Sequence, residues 1–284
     1  VNIDFFHIGP QKSATTWVYH CLKQHPEITA SINDSVHYYD MFYHRGEQWY
    51  KDQFPAQKFG NKIFDPTYTY IRSPWAPRRI ADDHPEAKFI LCLRNPVERA
   101  FSHYWHEKKK QKIAFEFNEV LENYDLYSSW IEPGLYAEHI ERYLQCFERD
   151  QFLFLRFEDL KQNPQEFLNN IFTFVEVDTG FRPSILDKKS NAATGRKTPL
   201  NKGWYKIKSI IADIGMERPL KELNVDKAAK KIESLPIAGK LLNDKDEYEK
   251  GVPAAIRTEL LYIIEPEIER LEKLLDINLK DWKK

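Results

Sequence analysis

Apolar positions along the chain gather into short runs separated by stretches with one-sided helical spacing. Four runs read as buried strands: Ile3–Ile8, which enters a Gly-Pro turn, Phe59–Phe64, Lys88–Leu93 and Gln151–Phe157. The spacing between them predicts helices over Thr15–Gln24, Pro96–Lys110, Phe115–Tyr124 and Tyr136–Phe147. In Pro164–Val175 the residues Phe167, Leu168, Ile171, Phe172 and Val175 share one helical face. Strands that are apolar throughout and alternate with helices predict an α/β fold, with a parallel sheet covered on both sides. From Ser184 to Asn201 the pattern gives way to Lys, Arg, Ser, Thr and Asn. The stretch from Pro219 to Leu275 is helical and charged, closing with Ile256–Leu275. The expected organisation is one domain over residues 1–284: an α/β core at 1–180, a basic loop at 181–205 and a helical C-terminal portion at 206–284.

Composition narrows the partners more than the fold. With 284 residues, 42% hydrophobic and 30% charged, the chain is long enough for a substantial core and is no disordered tail. A formal charge of −1 gives no overall attraction to nucleic acid or to an anionic membrane, so neither is expected as a partner. No apolar run is long enough to span a bilayer. Three scattered cysteines make neither a disulfide framework nor a zinc site, which favours a reducing, cytoplasmic setting. A lumenal catalytic domain separated from its anchor would carry the same features.

The chemistry begins where the first strand ends, in Gly9-Pro10-Gln11-Lys12-Ser13-Ala14-Thr15-Thr16-Trp17. A helix N-terminus, three hydroxyls and a lysine are what an anion site needs, although a hydroxyl cap on an ordinary strand–turn–helix would explain Ser13 or Thr15 alone. It is not the triphosphate loop G-x-x-x-x-G-K-[ST], which would require Gly at Ala14 and Lys at Thr15. The third strand ends in Arg94-Asn95-Pro96, where an NTPase would usually carry an acidic residue for Mg²⁺. Arginine there supplies fixed charge and bidentate phosphate binding without a metal.

Together these two segments resemble the sulfotransferases that use 3′-phosphoadenosine 5′-phosphosulfate (PAPS). The Gly9–Trp17 turn is similar to that family's 5′-phosphosulfate loop, and Lys88 through Tyr104 to its 3′-phosphate segment. The likeness extends through His25-Pro26, Val36-His37-Tyr38-Tyr39-Asp40, Pro66-Thr67-Tyr68, Gly134-Leu135-Tyr136, Phe157-Glu158-Asp159-Leu160 and the closing Asp281-Trp282. It implies a P-loop-like three-layer α/β/α fold, with PAPS as donor, its bisphosphate PAP as product and no metal. It implies that Lys12 contacts the oxygen bridging sulfate and phosphate, that Gln11, Ser13, Ala14, Thr15, Thr16 and Trp17 line the 5′-phosphate, and that Arg94 and Ser102 hold the 3′-phosphate. Arg196 and Lys197, in a Gly195-Arg196-Lys197 stretch, are similar to a late basic loop that closes on the nucleotide, and read equally well as a solvated loop.

The proton acceptor is where this chain departs from its relatives. Heparan-type members place a glutamate before a His-Phe-Phe-Asp-like stretch and a lysine before a Thr-Pro-x-Tyr-like one. Here Ser35 and Phe64 stand at those positions, and Asp34 takes the first only with a one-residue insertion. His37 is the first candidate base, because an imidazole titrates at about 6.5; Asp34 and Asp65 follow. Tyr38, Tyr39, Phe42, Tyr43, Trp49 and Tyr50 suggest stacking faces for a carbohydrate or small-molecule acceptor, or else core packing. Two other classes stay open: a nucleoside-triphosphate kinase, and a nucleotide- or glycan-binding protein without catalysis.

Overall fold

The computed structural model describes residues 2–56, 59–109, 115–186 and 251–284. Val1–Lys188 and Val252–Lys284 form one compact unit, to which every element below belongs. The five strands are β1 (Phe5–Gly9), β2 (Ile28–Ala30), β3 (Lys62–Asp65), β4 (Lys88–Leu93) and β5 (Phe152–Arg156), all parallel, in the order β2-β3-β1-β4-β5. The described helices are α1 (Thr15–Leu22), α2 (Gly46–Lys51), α3 (Ala76–Asp83), α4 (Pro96–Lys109), α5 (Tyr124–Trp130), α6 (Tyr136–Leu144), α7 (Phe157–Gln162), α8 (Pro164–Val175) and α9 (Ala254–Leu275).

Neighbouring side chains on β1 serve the two faces of the sheet, as strand alternation requires. Phe5 stacks on Phe64 at 4.7 Å and joins a core built with Val18, Leu22, Ile90, Cys92, Leu168 and Phe172 of α1, β4 and α8. Phe6 stacks on Phe89 at 5.7 Å and meets Tyr39, Tyr70 and His84 on the opposite face. Each such buried aromatic is worth roughly 1.5–3 kcal/mol over its exposed state, which fixes the sheet between two helical layers. The expected α/β/α layering is therefore the observed one.

Boundaries differ where turn chemistry overrode apolar pattern. Phe59 is fully exposed and Gly60 has φ 81°, so the predicted Phe59–Phe64 strand starts only at Lys62. β2 was not anticipated: three residues are too short to show a period. The predicted Phe115–Tyr124 helix is a 3₁₀ turn at Phe117–Leu121 followed by α5, whose separate start is set by Asn123 Oδ1 accepting from the Asp125 and Leu126 amides. The basic loop with Arg196 and Lys197, and the helical stretch before Gly251, lie outside the described residues; so, in part, does the single-domain expectation for 1–284.

The C-terminal segment reaches back to the ligand edge of the sheet. Glu267 of α9 accepts from the Ala137 amide at 2.6 Å, capping the first turn of α6. The carbonyl of Trp282 accepts from Asn95 Nδ2 at 3.0 Å, and its buried ring meets Tyr136 edge-on.

Candidate active site

The turn between β1 and α1 is shaped by left-handed backbone at three places. Gly9 has φ +117°, and a Cβ there would sit 2.2 Å from the Tyr68 carbonyl oxygen, so only glycine lets the turn rest on Tyr68. Lys12 (φ 72°) and Ala14 (φ 64°) then reverse the chain, a conformation that turns successive N–H groups toward one point. Ala14 occupies the N-cap of α1 and offers no side-chain cap, which leaves the amides of the first helical turn to a ligand. Ser13 is fully buried, and its Oγ has no hydrogen-bond partner among the described residues. A buried hydroxyl without a partner costs about 1–3 kcal/mol, a cost that an oxygen-rich ligand would remove. Gln11, Lys12 and Thr15 are half-buried, Thr16 is exposed, and Trp17 packs edge-on against Phe167.

Arg94 ties this turn to the end of β4. Its Nη1 donates to the Lys12 carbonyl at 3.0 Å, and its guanidinium lies over Phe157 with 4.6 Å to the ring centroid. The Arg94 carbonyl accepts from Tyr136 Oη at 2.8 Å. Asn95 Oδ1 caps α4 by accepting from the Val97 and Glu98 amides, and Pro96 takes the first helical position. Ser102 lies half-buried on the next turns of α4. Two neighbours on α4 escaped sequence reasoning. Arg99 is fully buried, donates to the Trp130 carbonyl, and is lowered to about 10 by burial and by Arg72 and Arg94. His103 is lowered to about 3 by burial first, then by the positive charges of Arg99, Lys12, His106 and Arg72. Burial is the first cause of that shift, and the neighbouring cations add to it. The only sequence signal was the repeat of basic residues along one helix.

The second half of the site forms around the end of β3. His37 takes a left-handed conformation (φ 59°) and opens a π-helical turn, Tyr38–Phe42, so that its ring returns toward Asp40. His37 Nδ1 lies 3.0 Å from Thr69 Oγ1 and 3.4 Å from Asp40 Oδ2, and Thr69 Oγ1 donates to Asp40 Oδ2 at 2.5 Å. Burial alone would raise the Asp40 carboxyl, but hydrogen bonds from His37 and Thr69 outweigh it and hold the group below the ordinary carboxylate range. The His37 ring meets Tyr68 edge-on at 6.3 Å, and Tyr68 is the residue against which Gly9 rests. One tyrosine thus connects the candidate base to the Gly9–Trp17 turn.

Asp65 and Asp34 do not join this group. Asp65 is fully buried and accepts from Tyr50 Oη (2.7 Å), Tyr70 Oη (3.1 Å), the Thr67 amide (3.0 Å) and Thr67 Oγ1 (2.5 Å). Burial raises its carboxyl against the pull of those donors, yet no oxygen faces an approaching substrate, so its expected role as a base gives way to that of an anchor. Thr67 and Tyr70, held by Asp65, in turn accept from the backbone amides of Val36, Tyr38 and Tyr39 and so fix the segment carrying His37. Asp34 is exposed; with Asp40 and Glu107 it adds, after burial, to the raising of the Tyr68 phenol. Of the six aromatics, Tyr38, Tyr39 and Tyr50 are core, while Phe42 and Trp49 flank Arg45 at 4.7 and 5.0 Å near the surface. Among the described residues no group of three or more His, Cys, Asp or Glu side chains is placed to hold a metal, and no helix is long and apolar enough to cross a membrane.

Comparison with known proteins bears on the family and the fold. The Sulfotransferase domain family matches residues 2–215. The bifunctional heparan sulfate N-deacetylase/N-sulfotransferase 4 of Mus musculus is 32% identical over 192 residues, covering 61% of this chain and 22% of that protein. The heparan sulfate glucosamine 3-O-sulfotransferase 6 of Homo sapiens is 31% identical over 186 residues, covering 64% of this chain and 53% of that protein. The chain therefore spans about a fifth to a half of the length of these relatives. A crystal structure of a sulfotransferase from Alicyclobacillus acidocaldarius superposes over 100% of both chains with a TM-score of 0.71 at 21% identity, a likeness of fold. The family match over residues 2–215, most of the chain, makes the protein a member of the PAPS-dependent sulfotransferases.

Proposed function

We propose that the chain moves a sulfuryl group from PAPS to a hydroxyl or amine of a carbohydrate or small-metabolite acceptor. The observation that carries this reading is the buried Ser13 Oγ, without a partner among the described residues, inside a turn where Lys12 and Ala14 are left-handed. These groups fit the 5′-phosphosulfate end of the donor, with Gln11, Lys12, Ala14, Thr15, Thr16 and Trp17 around it. Arg94 and Ser102, on β4 and α4, fit the 3′-phosphate that separates this donor from ATP. PAPS, when bound, supplies the activated sulfuryl group.

His37 is the proposed base. It takes the acceptor's proton as the new bond to sulfur forms and the bond from sulfur to the bridging oxygen breaks. Lys12 and the first amides of α1 stabilise the charge that this oxygen gains on the departing phosphate. Asp34, which is exposed, is the alternative base. A carbohydrate acceptor is supported by the half-buried Phe42 and Trp49 around Arg45 and by relatives named for heparan sulfate.

Calorimetric titration with PAP and with ATP, without added metal, tests the donor site. Binding of PAP in preference to ATP is expected. Mg²⁺-dependent preference for ATP would put a kinase in its place. Lys12→Ala should retain PAP binding and lose about 10²–10³ in turnover; PAP binding without turnover of any acceptor by the wild type would favour the non-catalytic reading.

A further inference from the structure

We infer that Thr69 is a positioning residue that fixes the tautomer of His37, leaving Nε2 as the atom that receives the acceptor's proton. This deepens the assignment of His37 as base and rests on it. A threonine hydroxyl has one proton. The Asp40 carboxylate, held ionised, has none to give, so the Thr69 proton goes to Asp40 Oδ2 at 2.5 Å. What Thr69 Oγ1 turns toward His37 Nδ1, 3.0 Å away, is then a lone pair. Asp40 Oδ2, the other group near Nδ1 at 3.4 Å, is also only an acceptor. Both neighbours demand a proton on Nδ1, and the neutral ring has just one, so Nε2 is bare. Among the described residues Nε2 has no hydrogen-bond partner, and the side chain is 23% exposed.

The arrangement inserts a hydroxyl between imidazole and carboxylate rather than joining them directly. The long 3.4 Å approach of Asp40 makes Thr69 the principal partner of Nδ1, and Asp40 the group that orients Thr69. Thr69 comes from the segment after β3, more than thirty positions from His37, and that segment is anchored by Asp65 through Thr67 and Tyr70. The orientation of the base is thus set by buried groups that never meet the substrate.

Long-range ¹H–¹⁵N spectra of the ¹⁵N-histidine-labelled protein read the tautomer directly, with the His37 signals assigned by their loss in His37→Gln. Wild type should show a protonated Nδ1 and a bare Nε2. Thr69→Val, close in shape, should shift the ring toward the other tautomer and lower kcat about 10–100-fold with KM for PAPS unchanged. Thr69→Ser should restore both signals and rate. A wild-type ring protonated on Nε2, or Thr69→Val turning over like wild type, would overturn the inference. Full turnover in His37→Gln would remove the base assignment itself, a separate failure, while the spectrum would still decide the role of Thr69.

Discussion

Replacing Asp65 should unfold before it should uncatalyse. Asp65→Ala strips the shared acceptor from the Tyr50 and Tyr70 hydroxyls and from the amide and hydroxyl of Thr67, all at a fully buried position. Each orphaned donor costs about 1–3 kcal/mol, but donors in one network do not add, and a net loss of about 3–5 kcal/mol is expected. At about 2–4 °C per kcal/mol for a chain of this size, Tm should fall by about 6–20 °C. Asp65→Asn should cost less. Its amide oxygen can stay on Thr67 and its amino group can turn to Tyr50, but Tyr70 Oη already accepts from the Tyr38 and Tyr39 amides and has no lone pair left for it. Thermal melts run beside turnover at a temperature where each variant is folded provide the assay. A variant that melts with wild type and yet has lost turnover would refute the structural role and return Asp65 to the list of bases.

Further consequences follow from other buried groups. Ser13→Ala removes a hydroxyl that has no partner, so stability should hold or rise by about 1 kcal/mol while PAP affinity falls about 5–30-fold; unchanged affinity in a titration would show that Ser13 does not face the nucleotide. Gly9→Ala places a methyl 2.2 Å from the Tyr68 carbonyl at φ +117°, and PAP affinity should drop about 10–100-fold, with wild-type binding as the contrary result. Burial lowers His7 and His103 to about 3 and His84 and His139 to about 4, so their neutral forms belong to the folded state. Their contribution is complete above the unfolded value of about 6.5 and is lost as pH falls toward 3–4, on the order of 1 kcal/mol per pH unit for each. Denaturant midpoints should decline from pH 7 to pH 5, and a flat profile would contradict this account.

The parts of the fold legible in the sequence were those whose signal is local. β1 and β4 are buried on both faces, and they and the partly buried edge strand β5 show as apolar runs; α8 repeats its apolar residues on one side. β2 is only three residues, and β3 was extended into a glycine turn because Phe59 looks like strand and is in fact solvent-exposed. The turn between β1 and α1 was legible for a similar reason, since Gly9, Lys12, Ser13 and the start of α1 are sequence neighbours. The acceptor side was not. Whether Asp65 is a base or an anchor depends on Tyr50 and Tyr70 approaching it, and Thr69 acquires meaning only when folding sets it beside His37.

The hydrogen bond from Arg94 to the Lys12 carbonyl bears on how donor recognition and chemistry are joined. With φ 72° at Lys12, the backbone is reversed at the residue whose side chain is assigned to the bridging oxygen, and the Arg94 guanidinium holds the carbonyl of that same residue. One Arg94 nitrogen is thereby committed to protein, and under the proposed donor site its remaining donors would serve the 3′-phosphate. On the proposed donor site, a nucleotide lacking the 3′-phosphate would forgo those donors, while the bond from Arg94 to the Lys12 carbonyl would remain. If the proposed roles of Lys12 and Arg94 hold, selection of the donor and alignment of the leaving group would share one guanidinium. On this geometry, substituting Arg94 disturbs the position of Lys12 as well as the binding of the 3′-phosphate.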